Sequence, residues 1–567
     1  MSDVAAAGTL ADAARATGSS AAAEAGVELL GRSHDGRPLP PARRRLTPAV
    51  LRSDRLWGWL GPLLVTALAG AFRLHRLDQP HRMLFDETYY AKDAYSMVRF
   101  GYVQSFVEKA NDQILDGRLG DLFTGDAAKP VHPEVGKWMI AVGEGVFGME
   151  PFGWRVAAAV TGALTVLVLA RLVRRLTGST LLGCVAGLLL CFDGLHFVMS
   201  RLALLDGFMS FWLVCAVACL VADRDWGRLR LARVVRPSGD ARFGPVRPLL
   251  LRPWRIGAAV CFGLACGTKW NALYVFAAFA VLMLAWDVGA RRTYGVRRPT
   301  LAALVADGLP TVLTLLGVAL VTYVVSWTGW LVHAGEYEQA FGADWGSYLR
   351  TDANGLLPEA TQSLRSLWHY HLVVYDFHVG TPDANGWTIL DATHPYQSHP
   401  GAWPIVGRPV GVDAQLDIKP GDQGCTASDS CLRQILLIGT PVLWWVGTLA
   451  LIASFVAWIG RRDWRFGVPL VGFLAAWLPW FRYTDRPIFY FYAVAMVPFT
   501  VIALTLWIGV LLGSSTASPR WRWWGSAAAG AFVLLVIINF AYFYPIYSDQ
   551  LITREQWLNR IWFKSWI

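Results

Sequence analysis

Two adjacent acids, Asp86 and Glu87, follow the first long apolar stretch of the chain, within Phe85-Asp86-Glu87-Thr88-Tyr89-Tyr90. Charge at a membrane edge is costly unless it is solvated, paired or used. Ionisable residues from distant parts of the chain fall at matching ends of other apolar runs: Arg73 and Arg76, Arg155, Asp193, Arg201 with Asp206, Lys269, and Asp485 with Arg486. Such a set could carry out group transfer at a lipid phosphate. Guanidinium forks and ammonium groups bind phosphate oxygens and stabilise charge that builds on a departing phosphate. A carboxylate can take the proton from an attacking hydroxyl. For any single residue, mutual ion pairing or a topology-setting charge is an equal alternative. The gathering of the whole set at one depth favours a site.

The elements that must position these residues are membrane spans. The chain has 567 residues, 54% of them hydrophobic and only 16% charged, against roughly 25% charged in soluble domains. Mean hydropathy is +0.38. The 28 Trp and 28 Phe suit aromatic belts at membrane interfaces. Apolar runs near 56–73, 153–171, 179–198, 203–222, 256–268, 271–288, 301–331, 433–459, 466–481, 488–513 and 523–543 predict about eleven spans. The fifth is short, and the seventh is long enough to tilt or to include a re-entrant start. A soluble enzyme is excluded.

Arginine separates the two sides. Arg171, Arg174 and Arg175, nine Arg between Arg224 and Arg255, Arg291 through Arg298, Arg461 through Arg465, and Arg520 with Arg522 all fall in alternate loops. The eight Arg of the first 55 residues join them, while every Lys lies on the other side or at its interface. The positive-inside rule makes the Arg side cytoplasmic, with the N-terminus inside and the C-terminus outside. This bias accounts for the net charge of +10 and removes the reason to invoke nucleic acid.

The expected organisation is a cytoplasmic disordered tail (1–55), an N-terminal membrane region (56–331) with an outer loop (77–151), an extracytoplasmic loop (332–432), a C-terminal four-helix membrane region (433–543) and an outer tail (544–567). Both long outer segments are aromatic-rich, and loops of this length are commonly functional. Helical apolar spacing over 86–102 and 133–147 places two interfacial helices in the first, with Pro133 in a first turn. Six cysteines lie in spans as packing residues. Cys425 and Cys431 lie in the outer loop, where a bridge is an even alternative to free thiols. His369, His371, His378 and His394 suit packing or acceptor contacts better than a metal cluster. The run Phe489–Tyr492 suits an aromatic belt or a sugar-stacking surface equally, and His132-Pro133 a helix start or a substrate contact.

Several separated motifs resemble the bacterial, actinobacterial-type protein O-mannosyltransferases, which use polyprenyl-phosphate mannose. These are Arg73 followed by Phe85-Asp86-Glu87; His132-Pro133-Glu134-Val135-Gly136-Lys137; Trp154-Arg155; Ser200-Arg201 through Leu205-Asp206; Thr268-Lys269-Trp270; His394-Pro395-Tyr396-Gln397-Ser398-His399-Pro400 before Trp403-Pro404; Gly439-Thr440-Pro441 before Trp444-Trp445; and Arg486-Pro487 leading into Phe489-Tyr490-Phe491-Tyr492. Glu134 departs from the second Pro of the family's His-Pro-Pro motif, and Thr440 stands where Asn is expected. The resemblance implies an all-α polytopic protein of the GT-C glycosyltransferase fold with a helical extracytoplasmic loop 1. It implies inverting transfer of mannose to Ser/Thr hydroxyls of secreted or membrane proteins.

The resemblance also implies residue roles. Asp86 is the general base and Glu87 orients acceptor or sugar. Arg155 and Arg486, with Lys269 as a third, bind the lipid phosphate. Arg73 pairs with the loop acids, and Asp206 supports the site. His132, Lys137, His394 and Tyr396 complete the substrate-binding set. The resemblance makes no cofactor certain and leaves room for a divalent cation. Expected partners are the donor, acceptor proteins, membrane lipids and the protein-export machinery, at the cell membrane. The alternative is a related transferase with another polyprenyl-phosphate sugar or a glycan or lipid acceptor. A lipid-phosphate flippase would need ionisable residues across the midplane and an internal repeat of spans, and the sequence has neither.

Overall fold

The expected apolar runs form helix, except that the run expected over 433–459 begins as the end of a strand, Cys431–Leu437, and turns helical only at Pro441. The computed structural model describes residues 41–47, 56–129, 131–234, 244–246, 249, 251–341, 355–382, 386–514 and 516–567. The expected disordered tail lies outside these apart from 41–47, which includes a short helix, Pro41–Leu46. Parts of the Arg-rich segment 224–255 and of the second long segment also lie outside.

The first span is α1 (Trp57–Leu74). The first long segment carries α2 (Glu87–Phe100) and α3 (Val135–Phe147) around an antiparallel ribbon of β1 (Gln104–Phe106) and β2 (Phe123–Ala127). Pro133 precedes α3 and does not open its first turn, because Glu134 takes the N-cap position. Next come α4 (Pro151–Thr177), α5 (Thr180–Cys191), α6 (Leu205–Arg233), α7 (Pro253–Cys266), α8 (Ala272–Tyr294) and α9 (Pro299–Val325). The second long segment holds α10 (Leu356–Val379) and the strands β3 (Val410–Ile418) and β4 (Cys431–Leu437). Helices α11 (Pro441–Gly460), α12 (Trp464–Trp477), α13 (Val497–Leu512) and α14 (Pro519–Tyr547) follow. The tail adds β5 (Ile552–Thr553) to an antiparallel sheet of order β3-β4-β5. Cys425 and Cys431 form a disulfide beside this sheet.

Among the described residues seven helices (α1, α4, α6, α8, α9, α11, α14) are long and apolar enough to cross a membrane. The other expected spans are shorter: α5 has 12 residues, α7 and α12 have 14 and α13 has 16. At 1.5 Å per residue these reach about 18–24 Å, below the roughly 30 Å hydrocarbon core. The third expected span is cut at Asp193, whose side chain caps a separate helix, Gly194–Met199. The tenth begins as a 3-10 turn, Tyr490–Ala495. The seventh contains π-helical turns at Ala303–Asp307 and Val312–Gly317. Pro310 lies between them, and a residue with no backbone N–H is one cause of such breaks.

The chain divides into two compact units. One comprises Cys219–Gly257 and Ala280–Gly317 with the described part of Met1–Ser53. Its buried charges pair with one another. Arg252 and Arg255 both bind Asp223 and Asp287, and Arg291 binds Asp307 through two bonds of 2.5 and 2.8 Å.

The second unit comprises Asp54–Ala218, Ala258–Phe279 and Val318–Ile567, and it holds the candidate site. There α4 packs on α1, α3 and α5. A Cβ at Gly143 would lie 2.3 Å from the Gly153 carbonyl oxygen, so only glycine lets α3 approach the start of α4 this closely. That approach brings Arg155 under the first long segment.

Candidate active site

Two arginines set the frame. Arg201 donates to the carbonyls of Phe72, Arg73, His75 and Arg76 at 2.7–3.3 Å. These carbonyls lie at and just past the C-terminal end of α1, where the last helical acceptors lack intrahelical partners and a cation also complements the helix dipole. Arg155 donates through Nε and Nη2 to Glu87 at 2.9 and 2.8 Å, and to the carbonyls of Leu77, Pro80 and Arg82 at 2.7–3.3 Å. All five of its N–H groups are engaged. The Glu87 carboxylate also accepts from the backbone N–H of Leu84 and Ala203, both at 3.0 Å. Both side chains are buried. Burying such a pair is favourable only when the remaining hydrogen-bonding positions are filled, and here they are.

This geometry corrects four expectations. Arg155 has no N–H left for a lipid phosphate and instead shapes residues 77–87. Arg73 does not pair with the loop acids: it reaches His196 Nδ1 at 2.9 Å and the Ala69 carbonyl at 3.2 Å within the bundle. Lys137 does not face an open site; it is buried and pairs with Asp93 at 2.9 Å, joining α3 to α2. Glu87, expected to orient substrate, has its lone pairs taken by protein donors.

Asp86 faces the other way. It sits at the start of α2 and is half-buried, after Phe85 in a left-handed conformation (φ 49°). Burial raises its pKa to about 6; Lys269 opposes the rise and Asp206 adds to it. Tyr90, one helical turn on, places its hydroxyl 3.5 Å from Asp86 Oδ2. Lys269 Nζ bonds both oxygens of Asp206, at 3.0 and 2.8 Å, and lies 4.4 Å from the centre of the Tyr492 ring. Burial works against charge on Lys269, but Asp206 outweighs it and the ammonium is held above its ordinary pKa.

Arg486 has no hydrogen-bonded or ion-paired partner among the described residues. Its Nε is buried and unmet, and its guanidinium stands 5.4 Å from the Tyr483 ring. His132 lies 6.1 Å from Tyr90 and 6.3 Å from His378, ring to ring. Burial, with Lys269 and His378 next, pushes its pKa well below the ordinary value, so it is a neutral imidazole. Phe85 packs edge-on against Phe491 at 5.6 Å, Phe489 at 6.2 Å and His394 at 6.5 Å. His394 accepts from the Tyr396 N–H at 3.1 Å. The Tyr396 ring packs against Arg408 and Gly411.

The fold therefore brings Asp86, Asp206, Lys269, His132 and Arg486 to one place, with His394 at its aromatic rim. It sets Arg73, Glu87, Lys137 and Arg155 behind that place as supports. Tyr90 was missed from sequence, although its i, i+4 spacing from Asp86 was available. Trp270 was read only as part of a motif; its ring stacks on His371 at 5.3 Å.

Both departures from the family pattern have structural roles. Glu134 accepts from the N–H groups of Gly329 and Trp330 at 3.0 Å and from Trp138 Nε1 at 3.2 Å. It thereby ties α3 to the helix Thr328–Val332. Thr440 donates to the Phe192 carbonyl at 2.8 Å and accepts from the Gly194 N–H at 3.0 Å. Asp193, beside it, accepts from His196 N and Trp444 Nε1, both at 2.8 Å, and is a joint of the bundle. No group of three or more His, Cys, Asp or Glu is set to hold a metal ion among the described residues.

Known proteins resemble this chain in sequence and fold. The family model described as dolichyl-phosphate-mannose-protein mannosyltransferase matches residues 63–233, and that of the C-terminal four TMM region of protein-O-mannosyltransferase matches 363–566. The polyprenol-phosphate-mannose–protein mannosyltransferase of Mycobacterium tuberculosis is 36% identical over 521 residues, 90% of this chain and 92% of the relative. That of Mycolicibacterium smegmatis is 37% identical over 525 residues, 90% and 94%. The Saccharomyces cerevisiae protein O-mannosyltransferase Pmt1-Pmt2 complex, solved bound to the sugar donor, contains a chain that superposes with a TM-score of 0.65. The match covers 92% of this chain and 95% of that one at 13% identity, a likeness of fold alone. The chain is a membrane glycosyltransferase of the GT-C fold and belongs to the polyprenol-phosphate-mannose–protein mannosyltransferase family.

Proposed function

We propose that this protein transfers mannose from polyprenyl-phosphate mannose to Ser or Thr hydroxyls of acceptor proteins, at the extracytoplasmic face and with inversion. The observation that carries the proposal is Asp86 itself: a half-buried carboxylate with a pKa near 6 beside Lys269, in a site whose Arg486, near His132 and Tyr492, has no hydrogen-bonded or ion-paired partner among the described residues. The donor and acceptor classes are those named for relatives 36–37% identical. The Arg-rich loops lie at the opposite span ends, which supports an outer site.

In the proposed step the acceptor oxygen attacks the anomeric carbon from the face opposite the phosphate. Its proton passes to Asp86. The bond from the anomeric carbon to the phosphate oxygen breaks, and its electron pair leaves with polyprenyl phosphate. Arg486 and the remaining N–H of Lys269 receive the developing charge. A phosphate monoester leaves without a protonating acid, so one base and a cationic clamp suffice. His132, as a neutral imidazole, hydrogen-bonds the sugar or acceptor.

The test supplies membranes containing the protein with polyprenyl-phosphate mannose and a Ser/Thr-rich peptide. Mannosyl transfer is expected, and Asp86→Asn is expected to lower it by about 10²–10⁴-fold at normal expression. Full activity in Asp86→Asn overturns the base assignment; transfer of a different sugar only overturns the donor assignment. A chelator arm reads whether a divalent cation is needed.

A further inference from the structure

Helix α10 carries an apolar stripe that none of the described residues covers. Leu357, Leu364, Trp368, Leu372, Tyr375 and Val379 are 41–79% exposed. At about 100° per residue they fall within an arc of about 80°, along roughly 33 Å of helix. The opposite face is buried. Leu367, Tyr370 and Val374 pack with Trp327, Trp330 and Tyr337, and Tyr323 of α9 meets His371 Nε2 at 2.5 Å. Near its C-terminal end, α10 also meets Trp270 through His371 and His378, at 5.3 and 6.3 Å between rings.

These contacts fix the level at which α10 runs. Trp270 stands in the turn between α7 and α8, and Tyr323 stands near the end of α9. Trp270 Nε1 donates to the Tyr323 hydroxyl at 2.9 Å, so the two mark one level at the span ends, next to Lys269 of the candidate site. A helix seated on both lies across the span ends, where acyl chains give way to headgroups. Its uncovered stripe holds one Trp and one Tyr, side chains that favour this zone, and Asp376 borders it.

We propose that α10 is an interfacial amphipathic helix and that its stripe docks into the lipid leaflet on the side of the candidate active site. The same helix carries His378 into the wall beside His132, so one wall of the pocket rides on a lipid-seated element. This inference rests on the span arrangement and holds whichever sugar is transferred.

The test places a photoreactive residue on the helix in the full-length protein, reconstituted in nanodiscs of phosphatidylcholine and phosphatidylglycerol. Trp368→p-benzoylphenylalanine and Leu372→p-benzoylphenylalanine keep the stripe apolar, and Asp376→p-benzoylphenylalanine probes its polar border. After irradiation, intact-mass analysis is expected to show phospholipid adducts at 368 and 372 at least fivefold above 376. Equal yields at all three positions, or no lipid adduct at 368 and 372, overturn the proposal. A covalent dimer in place of the lipid adduct also overturns it and assigns the stripe to a second copy.

Discussion

Glu87 and Arg155 have every donor and acceptor met; in front of Asp86 cations are left for something else to bind. The Glu87 carboxylate takes four hydrogen bonds, and Arg155 spends all five of its N–H groups on Glu87 and three carbonyls. Arg486 spends none on a described protein group, and Lys269 keeps one N–H beyond its two bonds to Asp206. Two adjacent acids thus divide the work: one builds the loop, and the other faces the reaction. Burial alone does not separate such roles, since Lys269 and Asp206 on the open side are buried, as are Arg155, Lys137 and Arg73 behind it. Saturation separates Arg155 from Arg486, because a charge whose hydrogen bonds are filled has nothing to offer a ligand.

The comparison can be broken by substitution. The largest expected effect is on the open side. Asp86→Asn should lower kcat by about 10²–10⁴-fold and leave the thermal unfolding midpoint of detergent-purified protein unchanged. A large drop in that midpoint would place Asp86 with the supports. On the closed side, Arg155→Met should cost about 3–5 kcal/mol, because it leaves Glu87 buried without its cation. Thermal unfolding reads this, and adding Glu87→Met should restore much of the loss. If Arg155→Met unfolds normally and only weakens donor binding, the original phosphate role returns.

Arg486→Gln should reduce kcat/KM for the donor by about 10–100-fold, the worth of one or two charge-assisted bonds, with stability unchanged. A normal donor KM and kcat there would remove it from the clamp. The pH dependence sharpens the same side. A base must be deprotonated to accept the hydroxyl proton, so kcat/KM should fall tenfold per pH unit below the Asp86 pKa of about 6 and level off above it. A rate that is flat from pH 5 to 7 contradicts this. Tyr90→Phe should have the smallest effect, under about threefold, because its 3.5 Å contact with Asp86 is long for a hydrogen bond. Its readout is a small displacement of the pH midpoint.

Much of this protein is legible in its sequence. Apolar runs marked the helices, and arginine bias separated the two ends of the bundle. The motifs placed Asp86, Lys269, Asp206 and Arg486 in one set, and the fold assembles them. The same set also held Arg155, Lys137 and Arg73, which the structure turns to other partners. No pattern in the chain distinguishes Arg155 from Arg486, since both stand at the head of an apolar run. The difference lies in the carbonyls of Leu77, Pro80 and Arg82, which a loop presents to one guanidinium and not to the other. Glu134 is similar: its reason for replacing a proline is a helix start nearly 200 residues away, at Gly329 and Trp330.

What the sequence by itself determined is which segments seek lipid and which end of each span carries charge. Hydropathy and charge are local properties, and each window must satisfy the bilayer alone. Only the tertiary structure decided which of those charges are spent and which stay available. A hydrogen bond needs its partner within about 3 Å in the right direction, and that is settled by how α1 to α4, the 77–87 loop and the 486–492 turn come together.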